Sequence, residues 1–141
     1  MNITDLLTKE TIILALRAQT KSEVIDELAA KLAEVGAVSD VEAFKQVIWA
    51  REKQSTTGVG EGIAIPHAKT AAVKRPAVAF GRSAEGIDYE SLDGKPSHLF
   101  FMIAAPEGGE QTHLQALARL SSMLMDASFR AALENASNEE E

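Results

Sequence analysis

The sequence predicts a single-domain α/β sandwich, a mixed β-sheet with helices on both faces. Three observations predict it. Two capped amphipathic segments lie in the first third of the chain, continuous apolar runs fill its middle, and a stripe of leucines at helical spacing follows. Helices, then strands, then helices again is the order expected when a sheet is covered by helical layers. The 141 residues fit one domain, and a chain of this size buries roughly two-thirds of its unfolded surface.

The elements follow in order. Ile12-Ile13-Leu14 reads as a short strand. Thr20-Lys21-Ser22-Glu23 is a capping box, with Thr and Glu three apart. Behind it Val24, Ile25, Leu28, Ala29 and Leu32 share one helical face, and Gly36 stands where a helix stop favours glycine. Ser39-Asp40-Val41-Glu42 reads as a second box, opening a helix that turns Phe44, Val47 and Ile48 inward and carries Arg51 near its end. Thr57-Gly58-Val59-Gly60-Glu61-Gly62 is a Gly-rich loop, followed by a β-type run, Ile63-Ala64-Ile65, that ends at Pro66-His67. Ala77–Phe80 and Leu99–Ile103 are continuous apolar runs, the mark of strands covered on both faces. Asp93-Gly94 is a turn between them. After the loop at 106–109, Thr112-His113-Leu114-Gln115 is a third box, with Gln in the role of Glu. Leu114, Leu117, Leu120 and Leu124 follow, and Ser128-Phe129-Arg130 starts a last short helix. Met102, Met123, Met125, Phe100, Phe101 and Phe129 read as core.

Composition excludes several classes. Hydrophobic residues make up 45 % and charged residues 25 %, an ordinary soluble globule. With no cysteine there is no disulfide framework, thiolate nucleophile or cysteine-based metal site. No apolar run approaches the roughly 20 residues of a membrane helix, and the N-terminus lacks the basic stretch and apolar core of a secretory signal; the expected location is cytoplasmic. The net charge is −7, and Glu134, Glu139, Glu140 and Glu141 contribute most of it. Residues 1–133 are therefore the expected domain, nearly balanced in charge, and 134–141 an acidic tail. Nothing forms a basic footprint for nucleic acid or anionic lipid.

The three histidines are where chemistry is sought, because imidazole titrates near neutrality. His67 follows Ile65-Pro66 at a strand end beside the glycines. Proline fixes its own φ and biases the residue before it toward extended geometry, so the backbone leading into His67 is stiff. Taken alone, Pro-His is also an ordinary polar loop end. His113 falls at the first position of a capped helix, where free N–H groups and the helix dipole attract anions and favour a neutral imidazole. An exposed first-turn residue would look the same. His98 lies between Pro96-Ser97 and an apolar strand and reads as structural or exposed. Two tempting motifs fail. A dinucleotide fingerprint needs a glycine at 63, which is Ile, and must run from strand into helix. No Gly-Lys-Ser/Thr of a P-loop is present, no two histidines have helix-face metal spacing, and no Gly-x-Ser-x-Gly elbow occurs.

Gly58 through Ala68, with Thr4-Asp5-Leu6-Leu7, Arg51-Glu52, Asp93-Gly94-Lys95-Pro96, Leu99 through Pro106 and Thr112 through Leu120, resembles the fructose/mannitol-type (type 2) enzyme IIA domains of the bacterial sugar phosphotransferase system. The likeness spans nearly the whole chain. Pro-Glu-Gly-Gly and Gly86-Ile87-Asp88-Tyr89 look most like the fructose branch.

The resemblance implies a phosphotransferase component without metal or organic cofactor. It would accept a phosphoryl group from the histidine phosphocarrier protein (HPr) and pass it to a sugar-specific IIB domain, meeting the membrane only through the permease. It implies that His67 is the phosphorylated histidine, that His113 contacts the phosphoryl group, that Arg51 lies near the site, and that Thr57, Gly58 and Gly60 bind phosphate. The physics fits. Neutral imidazole is a nucleophile without a separate base, and an arginine offers a charge-assisted, bidentate bond to phosphate oxygens. The alternative is the nitrogen-related regulatory branch, which binds partners according to phosphorylation state. The sequence leaves open the sugar and the oligomeric state.

Overall fold

The computed structural model describes residues 9–60, 62–107 and 130–133. A 3-10 turn, Lys9–Thr11, leads into β1 (Ile12–Ile13). Helices α1 (Lys21–Glu34) and α2 (Val41–Gln54) come next. Strands β2 (Gly58–Gly60), β3 (Ile63–Ala64), β4 (His67–Lys69), β5 (Ala77–Ile87) and β6 (Ser97–Ala105) complete the sheet. The sheet is mixed, in the order β1-β5-β6-β3-β2, with β4 also pairing β6. β5 and β6 are antiparallel, whereas β3 and β4 run parallel to β6 on its other side.

The helices form for the reasons their sequences give. The Thr20 hydroxyl accepts from Glu23 N–H (3.2 Å), and the Glu23 carboxylate accepts from Gln19 N–H (2.9 Å), so the box closes one residue further out than expected. A cap of this kind is worth about 1 kcal/mol. At the other end Gly36 adopts φ +81, letting its N–H reach the Ala33 carbonyl and Ala37 N–H reach the Leu32 carbonyl. The second box is corrected. Asp40, not Ser39, caps α2, accepting from Ala43 N–H at 3.1 Å. Ser39 is engaged elsewhere, donating both N–H and Oγ to the Ala72 carbonyl. An aspartate one residue later caps equally well.

α1 packs across β5, and α2 packs against α1 and β4. Val24, Ile25, Leu28, Ala29, Leu32, Phe44 and Ile48 are fully buried there against Ala79, Phe100 and Met102; Val47, expected inward, is only partly buried. The opposite sheet face carries Ile63, Ile65, Val78, Phe80, Leu99, Phe101 and Ile103. Leu133, from the helical residues 130–133, packs on it. Both apolar runs are thus covered on both faces, as their lack of alternation predicts. The third capping box, the leucine stripe, Met123, Met125, Phe129 and the acidic tail lie outside the described residues.

Candidate phosphoryl-transfer site

Residues 63–69 form one stretch of strand along β6, interrupted in its middle. Ile63 is opposite Leu99, Ala64 opposite Phe100, His67 opposite Ile103 and Lys69 opposite Ala105, so the register to β6 survives the interruption. Pro66 sits at the break. It has no N–H to give a ladder, yet its carbonyl accepts Ile103 N–H at 2.9 Å. Ala68 is buried on the helical side, and strand alternation sends His67 and Lys69 to the other face.

His67 is half-buried, and its Nδ1 lies 2.8 Å from the Ile65 carbonyl. A carbonyl only accepts, so Nδ1 carries the proton and, in the neutral ring, the lone pair resides on Nε2. Burial pushes the imidazole below its ordinary value. The Ile65 carbonyl opposes that shift, the Arg51 charge reinforces it and the Glu52 carboxylate opposes it, and the net direction is down. The site therefore holds a neutral, oriented imidazole at physiological pH.

Arg51, in the last turn of α2, donates from its guanidinium to the Ser55 carbonyl at 3.0 Å, fixing the side chain over the helix end. Thr57 is buried, and its hydroxyl donates to Glu52. The Gly-rich segment, expected as a loop, is largely strand: β2 pairs antiparallel with β3 as an edge arm. Its glycines have local causes. A Cβ on Gly58 would fall 2.5 Å from Ser91 Oγ, and Gly60 sits at φ +99. Gly58 N–H donates to Thr56 Oγ1. His98 is half-buried beside Gly62 and Gly86 and bonds through Nδ1 to the Ser83 carbonyl at 2.9 Å, a structural position as expected. His113 lies outside the described residues.

One buried polar cluster went unread in the sequence. The Glu52 side chain is only 1 % exposed. Its carboxylate accepts from Lys21 Nζ (3.0 Å), Thr57 N–H (3.1 Å), the Thr57 hydroxyl and Tyr89 OH (3.2 Å). Lys21 Nζ also stands 4.7 Å from the centroid of the Tyr89 ring, a cation–π contact. Burial, with the Glu52 charge beside it, pushes the Tyr89 phenol far up, so it stays a donor. The available signal was the spacing Phe44, Ile48, Glu52, an acid on a helix's inward face.

A half-buried neutral imidazole, backed by a carbonyl and with an arginine charge nearby, is a chemistry suited to a nucleophilic phosphoryl carrier. The family described as the phosphoenolpyruvate-dependent sugar phosphotransferase system, EIIA 2, matches residues 5–141, and the chain belongs to it. It is thus a component of a phosphotransferase system. The chain is 56 % identical over 140 residues to the fructose-specific EIIABC component of the phosphotransferase system of Bacillus subtilis, covering 99 % of this chain and 22 % of that protein. The chain therefore spans about a fifth of that relative. It is 46 % identical to the fructose-specific EIIA component of Haloferax volcanii, covering 94 % of this chain and 88 % of that one. Among solved structures, nitrogen regulatory protein IIA-Ntr from Neisseria meningitidis superposes with TM-score 0.90 at 32 % identity, over 98 % of this chain and 94 % of that one. The Escherichia coli enzyme IIAMtl, solved in complex with phosphorylated IIBMtl, gives TM-score 0.80 at 28 % identity, over 94 % and 92 %. No helix among the described residues is long and apolar enough to cross a membrane.

Proposed function

We propose that this chain is a cytoplasmic phosphohistidine carrier of fructose uptake, taking a phosphoryl group from phospho-HPr on His67 and passing it to a IIB domain. The observation that carries this reading is the His67 Nδ1–H bond to the Ile65 carbonyl, which assigns the nucleophilic lone pair to Nε2. Nε2 attacks the donor's phosphorus; the Nε2–P bond forms as the donor's N–P bond breaks, and the donor imidazole leaves with the electron pair. The phosphorylated ring keeps its Nδ1 proton and is cationic, and the Ile65 carbonyl dipole stabilises it. In the second step a thiolate of the IIB partner takes phosphorus, and neutral imidazole leaves.

Arg51 supplies charge-assisted bonds to the phosphoryl oxygens, and His113 supplies a further hydrogen bond. Thr57, Gly58 and Gly60 shape the backbone bordering the phosphoryl group, since the Thr57 hydroxyl and Gly58 N–H already bond within the protein. No metal or organic cofactor enters this scheme. The Haloferax and Bacillus relatives, both fructose-specific by name, support the sugar assignment. The Neisseria structure supports a second reading, a regulatory protein. Incubation with phosphoenolpyruvate, enzyme I and HPr should add one acid-labile phosphoryl group by intact mass, absent in His67→Ala. Subsequent loss of that group to a fructose-type IIB favours the carrier; phosphorylation without hand-over favours the regulator. No added mass under conditions that phosphorylate HPr overturns both.

A further inference from the structure

Behind the imidazole lies a backbone pair with an exchanged partner. Gly58 is opposite Ala64 in the antiparallel β2–β3 arm, so one residue further along Thr57 is opposite Ile65. Ile65 N–H donates to the Thr57 carbonyl at 3.0 Å, which makes this a hydrogen-bonded pair. Such a pair ordinarily exchanges both of its N–H···O bonds. Here the return donor is diverted: Thr57 N–H donates to Glu52 Oε1 at 3.1 Å. The Ile65 carbonyl instead accepts His67 Nδ1–H at 2.8 Å. Glu52 is held for this task from three elements, by Lys21 at the start of α1, by the Thr57 hydroxyl, and by Tyr89 after β5.

We propose that Glu52 is a positioning residue for His67: by capturing Thr57 N–H it releases the Ile65 carbonyl from the sheet ladder to fix the imidazole as its Nδ1–H tautomer. This inference rests on the phosphocarrier reading and deepens it. Glu52 touches no reacting atom. Its effect passes through one backbone carbonyl. Without an acceptor at position 52, Thr57 N–H closes the ladder onto the Ile65 carbonyl and competes with the ring. An imidazole released from that bond samples both tautomers, and the fraction with its lone pair on Nε2 falls.

The test uses the full chain with Lys21→Met in the background, so that no buried ammonium is left with the exposed Glu90 as its carboxylate partner. Ring ¹⁵N shifts and two-bond couplings of His67 are recorded without phosphorylation, beside the single-turnover rate from phospho-HPr. The wild type should show one tautomer, Nδ1–H. Lys21→Met/Glu52→Ala should show a tautomer mixture and a rate lower by at least about tenfold, the scale at which small misplacements act. Lys21→Met/Glu52→Gln retains a carbonyl acceptor for Thr57 N–H and should recover most of both. A folded Glu52→Ala double variant with unchanged tautomer and rate overturns the proposal. So does a Gln variant as impaired as the Ala one, because the charge rather than the acceptor would then be at work. A tautomer mixture or Nε2–H in the wild type overturns it before any variant is needed. A wild type that shows the single tautomer yet is never phosphorylated defeats the carrier reading and leaves the positioning role standing.

Discussion

Two stretches of chain pair with β6 from opposite sides, and they use their backbones differently. On one side β5 runs antiparallel for eleven residues, and Ala77 to Arg82 face Ala104 to Leu99 in unbroken register. From Ala77 to Gly81 its ladder groups are spent on the neighbouring strands, and its side chains are buried on both faces. On the other side residues 63–69 keep register with β6 but interrupt the strand at Ile65-Pro66. There the chain gives its carbonyls separate duties: that of Pro66 goes to Ile103, and that of Ile65 goes to an imidazole. The regular stretch spends its acceptors on the sheet, while the interrupted one turns a backbone acceptor to the His67 ring. Because register is preserved across the break, the histidine is placed by the whole sheet.

The sharpest way to break this comparison is His67→Ala, which should abolish phosphorylation completely while circular dichroism and the unfolding midpoint stay near wild type. Any retained acid-labile phosphate would relocate the site. On the regular side, Phe80→Ala removes a buried ring of β5 packed 4.9 Å from Phe101. It should cost about 3–5 kcal/mol in urea unfolding, yet leave the His67 tautomer unchanged in the folded fraction. A large tautomer change would mean the two regions are not separable. Between them lies the buried pair. Lys21→Met alone strands Glu52 and should destabilise by roughly 3 kcal/mol, with most of that regained in Lys21→Met/Glu52→Gln; a strictly additive pair would show that the ion pair contributes nothing.

Smaller effects sharpen the electrostatics. The His67 pKa is lowered in the fold, mainly by burial. Above the ordinary value of 6.5 both folded and unfolded chains hold it neutral, and it adds no pH dependence. As pH falls from 6.5 toward the lowered value, the unfolded chain takes up a proton that the folded chain refuses, so stability declines. Over the same interval the acceptor stays neutral, and the phosphorylation rate from a saturating donor should stay flat. A rate already halved at pH 6.5 would contradict the lowered value. Smallest of all, His98→Ala should leave transfer near wild type, since that ring bonds only to Ser83 among the partners described above.

Much of this was legible in the residues because the physics was local. The Thr20 cap, the stop at Gly36, the inward faces of α1 and α2 and the two apolar strands each follow from neighbours a few positions apart. His67 stood out for the same reason, with its proline and glycines beside it. What escaped notice was non-local. Glu52 meets Lys21 and Tyr89, residues 31 and 37 positions away in sequence, and no spacing rule links them. The β2 arm was misread because glycines signal loops, whereas here Gly58 is demanded by the close approach of Ser91. Ser39 lost its role as a cap because Ala72, far along the chain, took its hydroxyl.

The most direct measurement is ring-nitrogen NMR of the ¹⁵N-labelled protein after phosphorylation by phosphoenolpyruvate, enzyme I and HPr. The account predicts a single phosphoryl group on Nε2 of His67, with a proton retained on Nδ1. Phosphorus on Nδ1, or on any other residue, would contradict it.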